Sequence, residues 1–495
     1  MVLLRDRPAE VDLPVCMRSY AQALLFAVAS AACHGAPATD DTDAPASTPN
    51  PIRADAKWMR DVDGRVVLWR GANYSALEFG DFIASENGPR EADFEQLASW
   101  GVNAIRLPIS WQFLEPTENQ LDESYLTDQV DPVIAYAAAH GIAVVIDMHQ
   151  YLWSPCVGGL GAPAWTCEGH SYPQGGAGMS LAACDFFAVE GDPRQPSVGS
   201  DGRMLRDHFL DVWRVVARHY ANDARVVAWD YFNEPLAVCL SLAGHSFELD
   251  VLHPFYRRMR EIAEEEHAAR MFFYEPPLTR SVGAAPTLEA LGPDVVYSPH
   301  LYGDQTGLPY DGDRAGLSAN YAQAIDEAAT LGGPLVVGEF GGNADGGPGY
   351  LEATESFLRD SFDELDRQLS SSFFWAYFPG DNGFNVLTRD GAEKGELVNT
   401  LARPYAQRIA GTPTAMSFDP ATKAFHLAFD DDAAHPTSAP TEIFVPAARH
   451  YPGGFTVEVT AGDRWEVSES GMTVRVFAGD STTHEVRITA NAPQP

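Results

Sequence analysis

Two glutamates stand where apolar runs end: Glu234 in Trp229-Asp-Tyr-Phe-Asn-Glu-Pro235 and Glu339 in Val336-Val-Gly-Glu-Phe-Gly-Gly342. A run such as Arg225-Val-Val-Ala-Trp229 gains nothing by finishing beside an unpaired carboxylate, which is costly to bury. Two carboxylates carried by separate strand ends are what hydrolysis of a glycosidic bond needs. One gives a proton to the leaving oxygen, and the other attacks the anomeric carbon. A separation of about 5 Å between them predicts retention through a covalent glycosyl-enzyme, and a wider gap predicts inversion.

The two roles demand different surroundings. Glu234, between Asn233 and Pro235, sits in a restricted turn, and Trp229 and Tyr231 offer the apolar neighbourhood that suits a proton donor. Glu339 must stay ionised, with Arg106 as the natural counter-charge and Tyr302 as a hydrogen-bond donor. Either glutamate alone would read as a solvated loop residue, so the case rests on the pair. His149, in Ile146-Asp-Met-His-Gln150, reads as a contact to sugar hydroxyls in preference to a satisfied core histidine. Asp147 and His149 also hint at a metal, but no third ligand stands at a helpful spacing. Trp375 is expected to form an apolar floor for a sugar ring. Asn73 either meets substrate or supports a turn. No metal and no organic cofactor is expected.

Apolar runs at 66–73, 104–108, 143–148, 226–232, 271–274, 295–299, 334–339 and 372–376 alternate with amphipathic stretches such as 125–140, 204–220, 251–269 and 318–331. Eight such units predict an α/β fold, a (β/α)8 TIM barrel with enlarged loops. The rival is a doubly wound open sheet, which needs a Gly-rich phosphate-binding turn that the early strands lack. Catalytic groups of a barrel gather at the C-terminal ends of its strands. Asn73 ends the first strand and Arg106 lies near the end of the second. His149 follows the third, Asn233 and Glu234 the fourth, and His300 and Tyr302 the sixth. Glu339 ends the seventh and Trp375 lies in the eighth. That order puts the two glutamates on opposite walls of one cavity. After Gly411, seven short alternating runs separated by Gly, Pro or Asp predict an antiparallel β-sandwich. The expected division is a catalytic barrel at 53–410 and a sandwich at 411–495.

A formal charge of −36, from 33 basic and 69 acidic side chains, argues against nucleic acid as a partner. Met17-Arg18, then an apolar stretch ending at Cys33, reads as an export signal over 1–36, with Met17 as an alternative start. Cys33 after Ala31-Ala32 fits a lipid-attachment site; cleavage near Ala32 or Ala36 is the alternative. Residues 37–52 read as a disordered tether. The product is expected outside the cytoplasm, secreted or lipid-anchored at the cell envelope. Cys156, Cys167, Cys184 and Cys239 allow three disulfide pairings. Disulfides are preferred to a metal because no close C-x-x-C pair occurs.

Asn103-Ala-Ile-Arg-Leu-Pro108, Asp147-Met-His149, Asn233-Glu-Pro235, His300-Leu-Tyr302, Gly338-Glu-Phe340 and Trp375 together resemble glycoside hydrolase family 5. The resemblance implies a retaining barrel enzyme with Glu234 as acid/base, Glu339 as nucleophile, and Asn233 and His149 near the sugar 2-hydroxyl. Asp61-Val-Asp-Gly-Arg-Val-Val-Leu-Trp-Arg-Gly-Ala-Asn73 and Gly161-Ala-Pro-Ala-Trp165, with a sandwich directly after the barrel, are most similar to endoglycoceramidases and related glycosylceramidases. That implies a glycolipid substrate cut between sugar and ceramide, with peripheral membrane or micelle contact. The related enzymes typically carry Asp after His-Gln at a sugar contact, where this chain has Tyr151. Tyr151 therefore bears on which sugar is accepted. The apolar side chains of 151–154 and 158–165 read either as a ceramide-facing lip or as an internally packed loop clipped by Cys156 and Cys167. Two other functions fit the same fold: an endo-β-glycanase on glucan or mannan, and a non-catalytic carbohydrate-binding protein.

Overall fold

The computed structural model describes residues 52–80, 88–189, 194–237, 239, 244–303, 307–378 and 383–491. The expected export signal and all of the expected tether except Ile52 lie outside them. An N-terminal meander comes first: β1 (Arg53–Asp55), β2 (Trp58–Arg60) and β3 (Val66–Val67). Eight parallel strands follow: β4 (Arg70–Tyr74), β5 (Ala104–Ile109), β6 (Ala143–Met148), β7 (Val226–Asp230), β8 (Met271–Tyr274), β9 (Val295–Tyr297), β10 (Val336–Phe340) and β11 (Ser371–Tyr377). Their order is β10-β11-β4-β5-β6-β7-β8-β9. Parallel bridges Tyr297–Leu335 and His300–Glu339 bring β9 back to β10, giving the expected (β/α)8 barrel.

Period-two alternation sorts each strand between the barrel interior and the helical layer. In β6, Val144, Ile146 and Met148 join the core under the helices, whereas Val145 packs inside the barrel with Trp69, Phe273 and Phe373. Asp147 and His149 continue that inward face toward the C-terminal end. The helix Leu205–His219 covers the outside by the matching rule, burying Leu205, Phe209, Val212, Trp213 and Val216 at helical spacing. β10 breaks the alternation: its register against β11 shifts between Val337 and Phe340. Val336 faces in and Phe340 faces the helices, so the irregularity turns Glu339 inward.

The expected first strand, 66–73, is two strands. Val66–Val67 pairs antiparallel with β12 (Tyr405–Ile409), and only Arg70–Tyr74 enters the barrel. Trp69 lies at the break, plugging the bottom of the barrel against Phe273 and Phe373. Beyond β12 come β13 (Thr412–Asp419), β14 (Ala424–Asp430), β15 (Thr441–Phe444), β16 (Phe455–Val459), β17 (Arg464–Val467), β18 (Thr473–Phe477) and β19 (Thr483–Ala490). They form two facing antiparallel sheets, β13-β14-β19-β16 and β1-β2-β3-β12-β15-β18-β17. Phe425, Leu427, Phe429, Ile443, Val474, Val476, Val486 and Ile488 fill the space between them. Asp366, near the end of helix Tyr350–Gln368, accepts from both Arg70 and Arg403 at 2.7 and 2.8 Å, and Arg403 also donates to the Phe418 carbonyl of β13 at 3.2 Å, which ties barrel and sandwich together.

Candidate active site

At the C-terminal end of the barrel a single guanidinium organises the interior. Arg106 is fully buried. It donates to Asp230 at 2.8 Å, Asn73 at 3.1 Å, Glu339 at 2.9 Å and Asn233 at 2.8 Å, and also to Glu275. Asp147 lies 3.0 Å from the same group. One positive charge thus faces four buried carboxylates. Arg106 alone does not offset the burial of Glu339. Burial pushes the Glu339 carboxyl above its ordinary value, with Glu234 adding to the rise and His300, Arg106 and His149 pulling against it. Asp230 is pushed up more strongly, by burial and by the neighbouring Glu275.

A second cation completes the balance. His300 Nδ1 lies 2.8 Å from Glu234 Oε1 and 3.4 Å from Glu339 Oε2, and its Nε2 lies 3.3 Å from Glu275 Oε1. Burial alone would lower the His300 pKa, but Glu275, Glu339 and the bond to Glu234 carry it well above its ordinary value. Glu275 in turn is held below the usual carboxylate range despite its burial, because His300 and Arg106 face it. Glu275 also accepts the Glu234 backbone N–H at 2.7 Å. Glu234 has φ of 45°, a left-handed conformation that a glutamate adopts only under constraint. Gln150 clamps the same turn by donating to the Asn233 and Glu234 carbonyls at 3.0 and 3.3 Å.

The two glutamates are therefore brought together. Carboxylate oxygens of Glu234 and Glu339 and a nitrogen of His300 all lie within 4.8 Å of one another. Tyr302 donates to Glu339 Oε2 at 2.8 Å. His149 bonds Asp147 at 2.7 Å and stacks on Trp375 with ring centroids 5.3 Å apart. Burial would lower the His149 pKa, but Asp147, Glu339 and Glu78 raise it. Asp147, Asp230 and Glu275 could converge on a metal, yet Arg106 already contacts all three.

Above this floor opens a cleft of about 420 Å³ lined by His149, Tyr151, Asn233, Glu234, Tyr302, Glu339 and Trp375, with Phe79, Leu160 and Phe384 at its edges. Asn73 and Arg106 do not reach it. Asn73 is fully buried and donates to the Gly338 and Phe374 carbonyls at 3.0 and 3.3 Å, so it braces the strands beside Glu339. Asn233 faces the cleft edge but is oriented from below, accepting from Arg106 and donating to the Gln150 carbonyl at 2.9 Å. Asp230, Glu275 and Glu78 were not anticipated. Glu275 directly follows β8 and Glu339 lies one residue from the end of β10, each a carboxylate closing an apolar run, so the signal that marks Glu339 could have found Glu275. Glu78 lines the cleft from the turn after β4, where no periodicity marks it. Burial pushes its carboxyl up to about 7, against the pull of His149 and the Ser75 hydroxyl.

The loop after β6 is packed internally over most of its length. Trp153 is buried against Trp111 and Phe186, and Trp165 packs on Trp111 and donates to the Glu115 carbonyl at 2.9 Å. Of the two readings of this loop, internal packing holds at Trp153: its indole fills the aromatic core beneath the loop. Tyr151 remains 60% exposed, and Leu160 reaches the cleft edge opposite it through paired backbone bonds. Disulfides join Cys156 to Cys167 within the loop and Cys184, in the helix Gly176–Phe187, to Cys239. Among the described residues no helix is long and apolar enough to cross a membrane.

A barrel whose strand ends deliver paired carboxylates into a sugar-sized cleft defines a glycoside hydrolase. The chain belongs to glycoside hydrolase family 5: the family model described as cellulase (glycosyl hydrolase family 5) matches residues 61–381, and the family's C-terminal domain model matches 403–489. Endoglycoceramidase I of Rhodococcus hoagii is 27% identical over 441 residues, covering 84% of each chain. An endoglycoceramidase of Hydra vulgaris is 24% identical over 467 residues, 85% of each. Endo-glycoceramidase II from Rhodococcus sp., solved as a lactosyl-enzyme intermediate, superposes with a TM-score of 0.71 at 26% identity, over 88% of this chain and 100% of that one.

Proposed function

We propose that this glycoside hydrolase is an exported, retaining β-glycosidase that cleaves the bond between sugar and ceramide in glycosphingolipids. The observation that carries the mechanism is the closeness of the two carboxylates, within 4.8 Å oxygen to oxygen, which suits direct attack and leaves no room for an intervening water. Glu339, buried and gripped by Arg106 and Tyr302, attacks the anomeric carbon. Glu234, on the more open side and bonded to His300, passes its proton to the departing ceramide oxygen. A water then takes the vacated place, gives a proton to Glu234 and breaks the ester to Glu339, restoring both groups with net retention. Asn233 and His149 stand where they can bind the sugar beside the reacting carbon, and Trp375 offers a flat apolar surface for its ring. Asn73 and Arg106 act beneath them by holding Glu339. No step requires a metal or organic cofactor.

The ceramide assignment rests on the endoglycoceramidases that the chain is similar to over most of its length. The apolar cleft edge of Phe79, Tyr151, Leu160 and Phe384 supports it, because a lipid aglycone needs such a surface. Two disulfides support export. In this reading the barrel carries the chemistry and the sandwich, which β1–β3 and β12 join ahead of residues 411–495, braces it, with membrane or micelle contact at the apolar cleft edge. The description of the matching family model favours a second reading, an endo-β-glycanase on cellulose-like polysaccharide. Incubation with mixed glycosphingolipids and, separately, with β-glucan and mannan decides between them. Release of ceramide with intact glycan supports the first; oligosaccharide release alone supports the second. A 2-fluoro glycoside that accumulates as an adduct should label Glu339, and a label on any other residue refutes the assignment.

A further inference from the structure

Away from the cleft, Glu118, Asp201 and His208 converge where two loops meet, and one donor atom from each lies within 4.8 Å of the others. His208, in the first turn of helix Leu205–His219, is 1% exposed. Its Nδ1 lies 2.9 Å from Glu115 Oε1. Glu115 is itself fixed, accepting the Trp111 indole N–H at 3.0 Å and the Asn119 amide at 2.9 Å. A buried carboxylate on Nδ1 keeps the proton there and leaves the Nε2 lone pair pointing the other way. That Nε2 makes no hydrogen bond. It faces Asp201 Oδ1 at 3.5 Å, an acceptor set against an acceptor. The other ligand candidates are also held in place. Asp201 accepts from the Arg203 amide at 2.9 Å and from Asn119 Nδ2 at 3.1 Å. Glu118 accepts from the Ser200 hydroxyl at 2.5 Å and from the Asp201 amide at 3.3 Å.

We propose that His208, Asp201 and Glu118 form a binding site for a divalent transition metal, zinc by its chemistry. An imidazole nitrogen with two carboxylates suits zinc; calcium and magnesium prefer oxygen alone. Two ligands on a tetrahedral zinc stand about 3.3 Å apart, close to the distance from His208 Nε2 to Asp201 Oδ1, and Glu118 closes in by a small side-chain movement. Glu115 supplies the outer carboxylate that such histidines use to set their tautomer. Solvent reaches the site from the side of Asp201, whose side chain is 27% exposed. The role is structural: the metal bolts the segment around Glu118, beyond β5, to the segment leading into helix Leu205–His219. Trp165 ties that bolt to the loop bearing Tyr151, because its ring meets His208 edge-on at 5.1 Å between centroids.

The test is a titration of chelator-stripped full chain with zinc chloride, reading stoichiometry by calorimetry and Tm by thermal scan. One zinc per chain and a rise in Tm are expected. Loss of an outer partner alone typically weakens a metal site 10- to 100-fold, so D201N and E118Q should each weaken binding by at least about tenfold. Both positions are partly solvent-exposed, so the variants should keep the Tm of the zinc-free wild type; His208 stays intact to avoid opening a cavity. Equal zinc affinity in wild type and both variants, or no zinc-dependent rise in Tm, overturns the site and leaves His208 as a doubly protonated partner of Glu115 and Asp201.

Discussion

At the floor of the cleft Arg106, Asp147, Asp230 and Glu275 are almost wholly buried and each meets several charged partners, whereas Tyr151 and Phe79 at the rim stand 60% and 43% exposed. The floor is over-determined: moving any one charge leaves others uncompensated in a medium that screens poorly. The rim is held by backbone pairing and aromatic packing, which tolerate exchange of the side chain that points into the cleft. Chemistry therefore belongs to the floor and selectivity to the rim. Substitutions in the floor should damage turnover or folding for every substrate, and substitutions at the rim should change which substrate is turned over.

The largest effect should come from E339Q, which keeps the shape of the floor and removes the charge proposed to attack the sugar. A loss of kcat on the order of 10⁴-fold is expected, with folding intact by circular dichroism; residual turnover within tenfold of wild type would break the comparison at its centre. Next is R106M, which leaves four carboxylates facing one another without their shared cation. It should destabilise the fold by about 3–5 kcal/mol in denaturant titration, and a neutral result would mean that the cluster is not charge-held.

E275Q sharpens the account of the floor. It keeps an acceptor for the Glu234 amide but removes the first of the charges that raise His300. With the remaining Glu234 and Glu339 charges alone, His300 should lose its proton more readily, so the alkaline limb of the kcat/KM profile should move to lower pH. The stability sign is the same. His300, raised in the folded protein, contributes stability that is complete below its unfolded value and lost as pH rises through its folded value. E275Q should shrink that contribution, so an unchanged pH profile for both activity and Tm would mean that Glu275 does not hold the His300 charge. The smallest effect belongs to the rim. Y151A with L160S should lower kcat/KM on ceramide glycosides about tenfold while sparing soluble aryl glycosides. Equal losses on both would erase the distinction between rim and floor.

Legibility in the sequence followed the same line. Residues such as Arg106 and His149 could be placed because strand periodicity fixes which side chains reach the end of a barrel strand; Glu339 was marked by its motif alone, since β10 breaks the alternation. Trp153 could not, since a Gly-rich loop has no period to say which of its apolar residues turns inward. Glu275 was overlooked although it repeats the pattern of Glu339, because no second motif flanked it. The split of 66–73 into β3 and β4 was hidden for another reason: antiparallel partners such as Val67 and Arg408 share no local signal that could pair them in advance.

That pairing has a consequence for how the protein is made. β3 emerges roughly 340 residues before the β12 strand it bonds, which at ordinary elongation rates is on the order of half a minute. The barrel between them can be largely translated while its own entrance still lacks a neighbour, and β12 in turn leans on β15. Maturation is therefore sealed from the tail backwards. A chain truncated just before β12 would lose its sandwich and would also leave β3 as a bare edge, open to pairing with other nascent copies.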